Sequence, residues 1–182
     1  MKKEERRQQI IDRAMEVFIK CGYKGATTAK LAEEIGVAEV TLFRYFSSKQ
    51  ELFLAGVEPI FVESLRASLS DIRDCNDEEK IRQLLYERLQ FISENHALIQ
   101  LILQEKEFLR QAGEKNFLDM MIASFKKFIK DLPLARDKED LVLRLLMGSI
   151  LSFLYMPEKK PAHVEEYVDQ LTKLLVQFIQ QH

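Results

Sequence analysis

The sequence predicts an all-α protein of about nine helices, three short ones at the N-terminus ahead of a larger helical body. Three observations predict it. Apolar residues recur at three- and four-residue steps along almost the whole chain. No segment sustains the period-two alternation of a half-buried strand. Helix-starting and helix-stopping residues punctuate the pattern at regular intervals. With 182 residues, 47% hydrophobic and 31% charged, the chain is long enough to bury one substantial core, or a small head on a larger body. The predicted division is 1–48 for the head and 49–182 for the body.

The elements follow in order. Ile10, Ala14, Val17, Phe18 and Cys21 make one apolar stripe on the first helix, which Gly22 ends as a C-terminal cap does. Thr27 or Thr28 caps a second helix, 29–35, that buries Leu31, Ala32 and Ile35. Gly36 breaks it. A third helix runs from about 39 to 46 with Leu42 and Phe46 facing inward, and Ser47 or Ser48 caps a fourth that starts at Lys49. That fourth helix is expected to continue towards Ile72 with a bend at Pro59. In the body, Asp77 caps a helix carrying Ile81, Leu84, Leu85, Leu89 and Ile92, and Asn95 caps the next, with Leu98, Leu101, Ile102 and Phe108, ending near Gly113. Another holds Phe117, Met120, Met121, Phe125, Phe128 and Ile129 and stops before Pro133. Asp137 opens the strongly apolar helix 138–156, and the last helix, 163–181, carries Val164, Val168, Leu171, Leu175 and Phe178.

Composition narrows the function. Residues 1–50 hold ten Lys/Arg and seven Asp/Glu, a net of +3, whereas the remainder holds 17 basic and 22 acidic residues, a net of −5. A basic head on an acidic body suits a protein that places one end on nucleic acid. The charged stretch 1–9 has no apolar segment of a secretory signal, and the longest apolar run, 145–156, is too short to span a bilayer, so a cytoplasmic protein without membrane contact is expected. Cys21 and Cys75 are too few for a disulfide scaffold and lack metal-ligand spacing. Cys21 is expected to pack and Cys75 to lie in an exposed turn, with no sequence neighbour that lowers a thiol pKa. His96, His163 and His182 are far apart, and neither a GxSxG elbow nor a phosphate-binding GxxxxGK[ST] loop is present. No enzyme activity, cofactor or metal is expected.

The informative stretch is TTAKLAEEIGVAEVTLFRYFSSKQELF, residues 27–53. Two short helices joined by a tight glycine-containing turn are the elements of a helix-turn-helix. Ala32 is small enough to let the helices cross closely, and Gly36 tolerates the backbone angle that redirects the chain. Leu42 and Phe46 anchor the second helix, which leaves Val40, Thr41, Arg44 and Tyr45 nearer the outer face, where a DNA major groove is read. With the preceding AMEVFIKCGYKGA, this stretch resembles the TetR family of repressors over about the first 55 residues. The resemblance implies that Thr28 caps the second helix and touches phosphate, that Thr41 and Tyr45 lie at the groove, and that Lys49 contacts the DNA backbone. Arg44 is a further phosphate or guanine candidate. Ala38 stands where a capping serine is usual, Val40 where a small residue is usual and is free to meet a thymine methyl, and Phe43 where a tyrosine is usual.

Each candidate also has a purely structural reading. Thr27 and Thr28 serve as caps, Lys30 as a solvated charge, Glu39 as a first-turn helix charge rather than a reader of cytosine, and Phe43 and Phe46 as core. In the body, Phe91, Phe117, Met121, Phe125, Ser152 and Tyr155 are candidate lining for an apolar effector site, or simply core at helical spacing. By analogy with the family, helices 138–156 and 163–181 pair with their two-fold copies in a homodimer bound to a duplex operator. The alternative is a body that serves as a protein-interaction platform with no small-molecule effector.

Overall fold

The computed structural model describes residues 3–66, 76–113, 117–158 and 160–180. Among them are ten α-helices and no strand: α1 Lys3–Gly25, α2 Thr28–Ile35, α3 Glu39–Tyr45, α4 Lys49–Arg66, α5 Asp77–Glu94, α6 His96–Gln104, α7 Lys106–Gln111, α8 Phe117–Lys130, α9 Glu139–Tyr155 and α10 Pro161–Gln180. The tenth helix arises because the single expected helix from Asn95 to Gly113 is broken at Glu105, whose φ −94, ψ 18 leaves the helical region.

The chain packs as two compact units, Met1–Val62 with Ala97–Glu114, and Glu63–His96 with Lys115–His182. In the first, α1 buries Ile10, Ile11, Ala14, Met15, Val17 and Phe18. The expected stop at Gly22 is a kink (φ 69, ψ 168) after which the helix resumes for three residues. α4 approaches α1 so closely that a Cβ on Gly56 would overlap Met15 Sδ, so the absence of a side chain there sets the helix separation. α4 passes through Pro59 without interruption, and its expected end at Ile72 lies outside the described residues, as does Cys75.

In the second unit α5 packs against α9 and α10, and α8 against α9. Asn76, not Asp77, caps α5. Its side chain accepts from Glu79 N at 2.9 Å while Glu79 accepts from Asn76 N at 3.2 Å, a reciprocal box that satisfies two otherwise orphan amides. Asn95 closes α5 instead of opening α6: its backbone N–H and its Nδ2 both donate to Phe91 O, at 3.0 and 2.9 Å. Asp137 falls in a 3₁₀ turn, Arg136–Lys138, and α9 begins one residue later. Proline at the first position of α10 removes an N–H that would have had no partner.

Candidate nucleic-acid interface

The candidate interface comprises α2, α3 and the turn between them. Thr27 caps α2, its Oγ1 accepting from Lys30 N at 3.3 Å, so the cap belongs to Thr27 and Thr28 is the first helical residue, half-buried. Leu31 and Ala32 are buried beneath α2. The helix ends at Gly36 with φ 75; Gly36 N donates to Glu33 O at 3.0 Å and Val37 N to Ala32 O at 2.9 Å, the paired bonds of a Schellman turn. Only glycine enters that left-handed region without strain, so the direction in which α3 leaves is written into one residue.

Ala38 precedes α3 and makes no side-chain cap, which costs the helix about 0.5–2 kcal/mol relative to serine. Glu39 in the first turn partly offsets this by placing negative charge at the positive end of the helix. Leu42 and Phe46 are 3% and 2% exposed and pin α3 inward, with the Arg7 guanidinium 4.7 Å over the Phe46 ring. With those two positions buried, helical geometry turns 40, 43 and 44 outward. Val40 is 81% exposed and Phe43 44%, Arg44 is exposed with its guanidinium 5.7 Å from the Tyr45 ring, and Thr41 and Tyr45 are half-buried at the margin. The structure therefore gathers Glu39, Val40, Thr41, Phe43, Arg44 and Tyr45 on one short helix, with Phe43 outside the core.

Lys30 and Lys49 are both engaged within the head. Lys30 Nζ lies 3.0 Å from Cys21 Sγ, and that contact raises the lysine pKa. Lys49 Nζ donates to Tyr23 O at 2.9 Å and stands 4.3 Å over the Tyr23 ring; burial lowers its pKa, opposed by the Glu105 carboxylate. Ser48 resolves the capping of α4, its Oγ accepting from Glu51 N at 3.1 Å, while Glu51 Oε2 accepts from both Ser47 N and Ser47 Oγ at 2.6 Å. Those two bonds hold the Glu51 carboxyl below its usual pKa.

Residues of α1, α4 and α7 form an aromatic cluster. Phe18 meets Phe53 edge-on at 5.0 Å, Tyr23 meets Phe53 at 5.1 Å, and Phe108 stacks on Tyr23 at 3.9 Å. Glu105 accepts from Tyr23 N at 3.1 Å. In the run Glu105-Lys106-Glu107 the sequence reads Glu105 as a solvated charge; it is instead half-buried against Tyr23, a pairing that spans 82 residues of sequence.

In the body, Phe117, Met121 and Phe125 are buried along one face of α8, and Phe91 is half-buried on α5. Ser152 donates its hydroxyl to Ser149 O at 2.6 Å, within its own helix. Tyr155 departs from the expected lining: as the last residue of α9 it is 76% exposed, in line with exposed Leu141 four turns earlier. Arg88, 3% exposed on the Ile81–Leu85–Ile92 stripe of α5, escaped the sequence reading although its place at helical spacing among apolar residues was the signal; burial lowers its pKa.

Residues 10–55 match the family described as bacterial regulatory proteins, tetR family. The chain is 30% identical over 132 residues to the nucleoid occlusion factor SlmA of Haemophilus influenzae, covering 69% of this chain and 61% of that protein. It thus spans less than two-thirds of that relative's length. It is 44% identical over 50 residues to the HTH-type transcriptional repressor AcnR of Corynebacterium diphtheriae, 28% of this chain and 26% of that one. Among solved structures, a TerR/AcrR-family transcriptional regulator from Aquifex aeolicus superposes with a TM-score of 0.73 at 18% identity, over 93% of this chain and 99% of that one. The all-helical architecture is the TetR-like fold with an N-terminal helix-turn-helix.

Proposed function

From the premise that residues 10–55 belong to the TetR family of bacterial regulatory proteins, we propose that this chain is a DNA-binding transcriptional regulator that reads a duplex operator with α3. The observation that carries the reading is the row on α3, where Val40, Phe43 and Arg44 face outward while Leu42 and Phe46 hold the helix down. An apolar surface flanked by an arginine and hydroxyls suits thymine methyls, guanine and phosphate together. Thr27, Thr28, Lys30 and Lys49 flank that helix as backbone contacts.

The finer reading is a cytoplasmic homodimeric repressor with a DNA-binding part, 1–48, and an effector-binding and dimerising part, 49–182. Support for the dimer comes from α9 and α10, where Leu141, Tyr155 and Leu174 are 47%, 76% and 53% exposed, apolar side chains that a second copy would bury. Two heads would then enter successive major grooves of a palindrome, roughly 34–36 Å apart. In this reading a small, largely apolar effector binds in the body and favours a state that no longer fits the operator. No catalytic role or cofactor belongs to this reading.

The test is selection of duplexes from a random-sequence library, followed by titration at varied salt. Binding should weaken steeply with salt, as phosphate contacts require. Arg44→Ala should cost about 1–3 kcal/mol on the selected duplex. Failure to retain any duplex at low salt would sink the reading. A second reading is a protein-interaction body with no effector; the likeness to a nucleoid occlusion factor, which at 132 residues extends well past the head, keeps it beside the first. Thermal stabilisation by long-chain acids or aromatic compounds supports the effector; no shift across such a panel supports the platform.

A further inference from the structure

Gly22, at φ 69 and ψ 168, occupies a backbone region that is nearly exclusive to glycine, and there α1 kinks. The next amide, Tyr23 N–H, finds its acceptor in Glu105 Oε1 at 3.1 Å, far away in sequence. Glu105 is itself the N-cap residue of α7, yet its side chain makes no cap bond to its own helix. One turn on, Phe108 stacks on the Tyr23 ring at 3.9 Å and meets Phe53 edge-on at 5.8 Å. Tyr23 also holds Lys49, through its carbonyl at 2.9 Å and its ring at 4.3 Å. Lys49 opens α4 directly after the short link from α3. An ammonium has three donors, so one bond to a carbonyl and one hydrogen on the ring leave a third for a phosphate oxygen.

We infer that Glu105 is a positioning residue for the DNA-reading surface: by holding the Tyr23 amide at the α1 kink, it sets where Lys49 and the start of α4 stand. This rests on the DNA-binding reading above. Glu105 touches no DNA; it acts through Tyr23 and Lys49. Glu105 and Phe108 thereby support the DNA-reading surface, although the helix-turn-helix ends well before them in sequence.

Fluorescence anisotropy on a duplex selected from a random library by the wild-type chain tests this. Glu105→Ala should weaken binding about tenfold, since a partly buried amide loses its acceptor. Glu105→Gln keeps an acceptor oxygen and should return affinity to within about threefold of wild type. Glu107→Ala, an exposed neighbour paired with Arg110 at 3.0 Å, should leave binding unchanged. On a Lys49→Met background, Glu105→Ala should have almost no further effect, a coupling that general destabilisation would not produce. Phe108→Leu keeps apolar volume while removing the stack, and should weaken binding roughly threefold or more, so the inference stays testable if Glu105→Ala does not fold. Wild-type affinity in both Glu105→Ala and Phe108→Leu, or full additivity with Lys49→Met, overturns the inference while leaving the DNA-binding reading intact. If the wild-type chain selects no duplex, the functional reading falls first and takes this one with it.

Discussion

The head and the body expose apolar side chains in different company. On α3, exposed Val40 and Phe43 sit between Thr41, Arg44 and Tyr45 on a helix of seven residues. On α9 and α10, exposed Leu141, Tyr155 and Leu174 lie along helices of 17 and 20 residues whose opposite faces form the core. A short apolar row mixed with donors and a cation matches a groove in which methyl groups, base edges and phosphates alternate. Exposed apolar side chains on long helices suit the apolar face of another helix. The two surfaces therefore call for different partners although their exposed residues are individually similar.

The interiors differ as well. The head is tied together by ring contacts among Phe18, Tyr23, Phe53 and Phe108, whereas α5, α8 and α9 together bury more aliphatic and methionine side chains than aromatic ones, with Phe153 meeting Tyr167 at 5.2 Å. Aromatic pairs prefer particular orientations, so such a cluster is sensitive to the placement of each member. The largest effect that sharpens this contrast is expected from Phe53→Ala, which is fully buried at the centre of the cluster. It should destabilise the chain by about 3–5 kcal/mol in chemical denaturation and abolish DNA binding with it. A loss below about 1 kcal/mol with DNA binding intact would mean that the head is not organised around these rings.

A smaller effect breaks the contrast from the other side. Leu174→Glu puts a charge into the proposed self-association surface and should weaken the dimer by about 2 kcal/mol or more, read as a monomer shift in sedimentation. Helix content of the isolated chain should hardly change, because Leu174 is 53% exposed in the single copy. An unchanged sedimentation coefficient across micromolar dilution would remove Leu174 from the interface.

The smallest effect concerns the start of α4. Glu51 is held below its ordinary pKa of 4.5 by the Ser47 hydroxyl and amide. Because the folded pKa is the lower one, its contribution to stability is complete above the unfolded value and disappears as pH falls through the folded value. Glu51→Gln should therefore be less stable than wild type near pH 6, with the gap closing below about pH 4. Glu51 is almost fully solvated, so the difference is a fraction of a kcal/mol. A gap that is constant from pH 6 to pH 3 would show that the charge is not what the cap needs.

Much of this was legible in the chain itself. Apolar spacing located the helices. Gly36 marked the turn because a positive φ is a property of one residue. Leu42 and Phe46, four apart, settled which side of α3 faces out. These signals need only a few neighbouring residues, because caps, left-handed turns and helix faces are set by short-range sterics and periodicity. Where two adjacent residues were chemically equivalent, local reasoning could not choose: Thr27 rather than Thr28 and Ser48 rather than Ser47 were decided by which side-chain oxygen reached the third amide, and the same test moved the α5 cap from the expected Asp77 to Asn76. Tertiary structure alone decided the rest. It broke the predicted helix at Glu105 and turned that carboxylate onto Tyr23. It also seated Lys49 on the same tyrosine and left Tyr155 outside the body's core. Each of these depends on which helices meet, and chain neighbours carry no record of a partner 82 residues away.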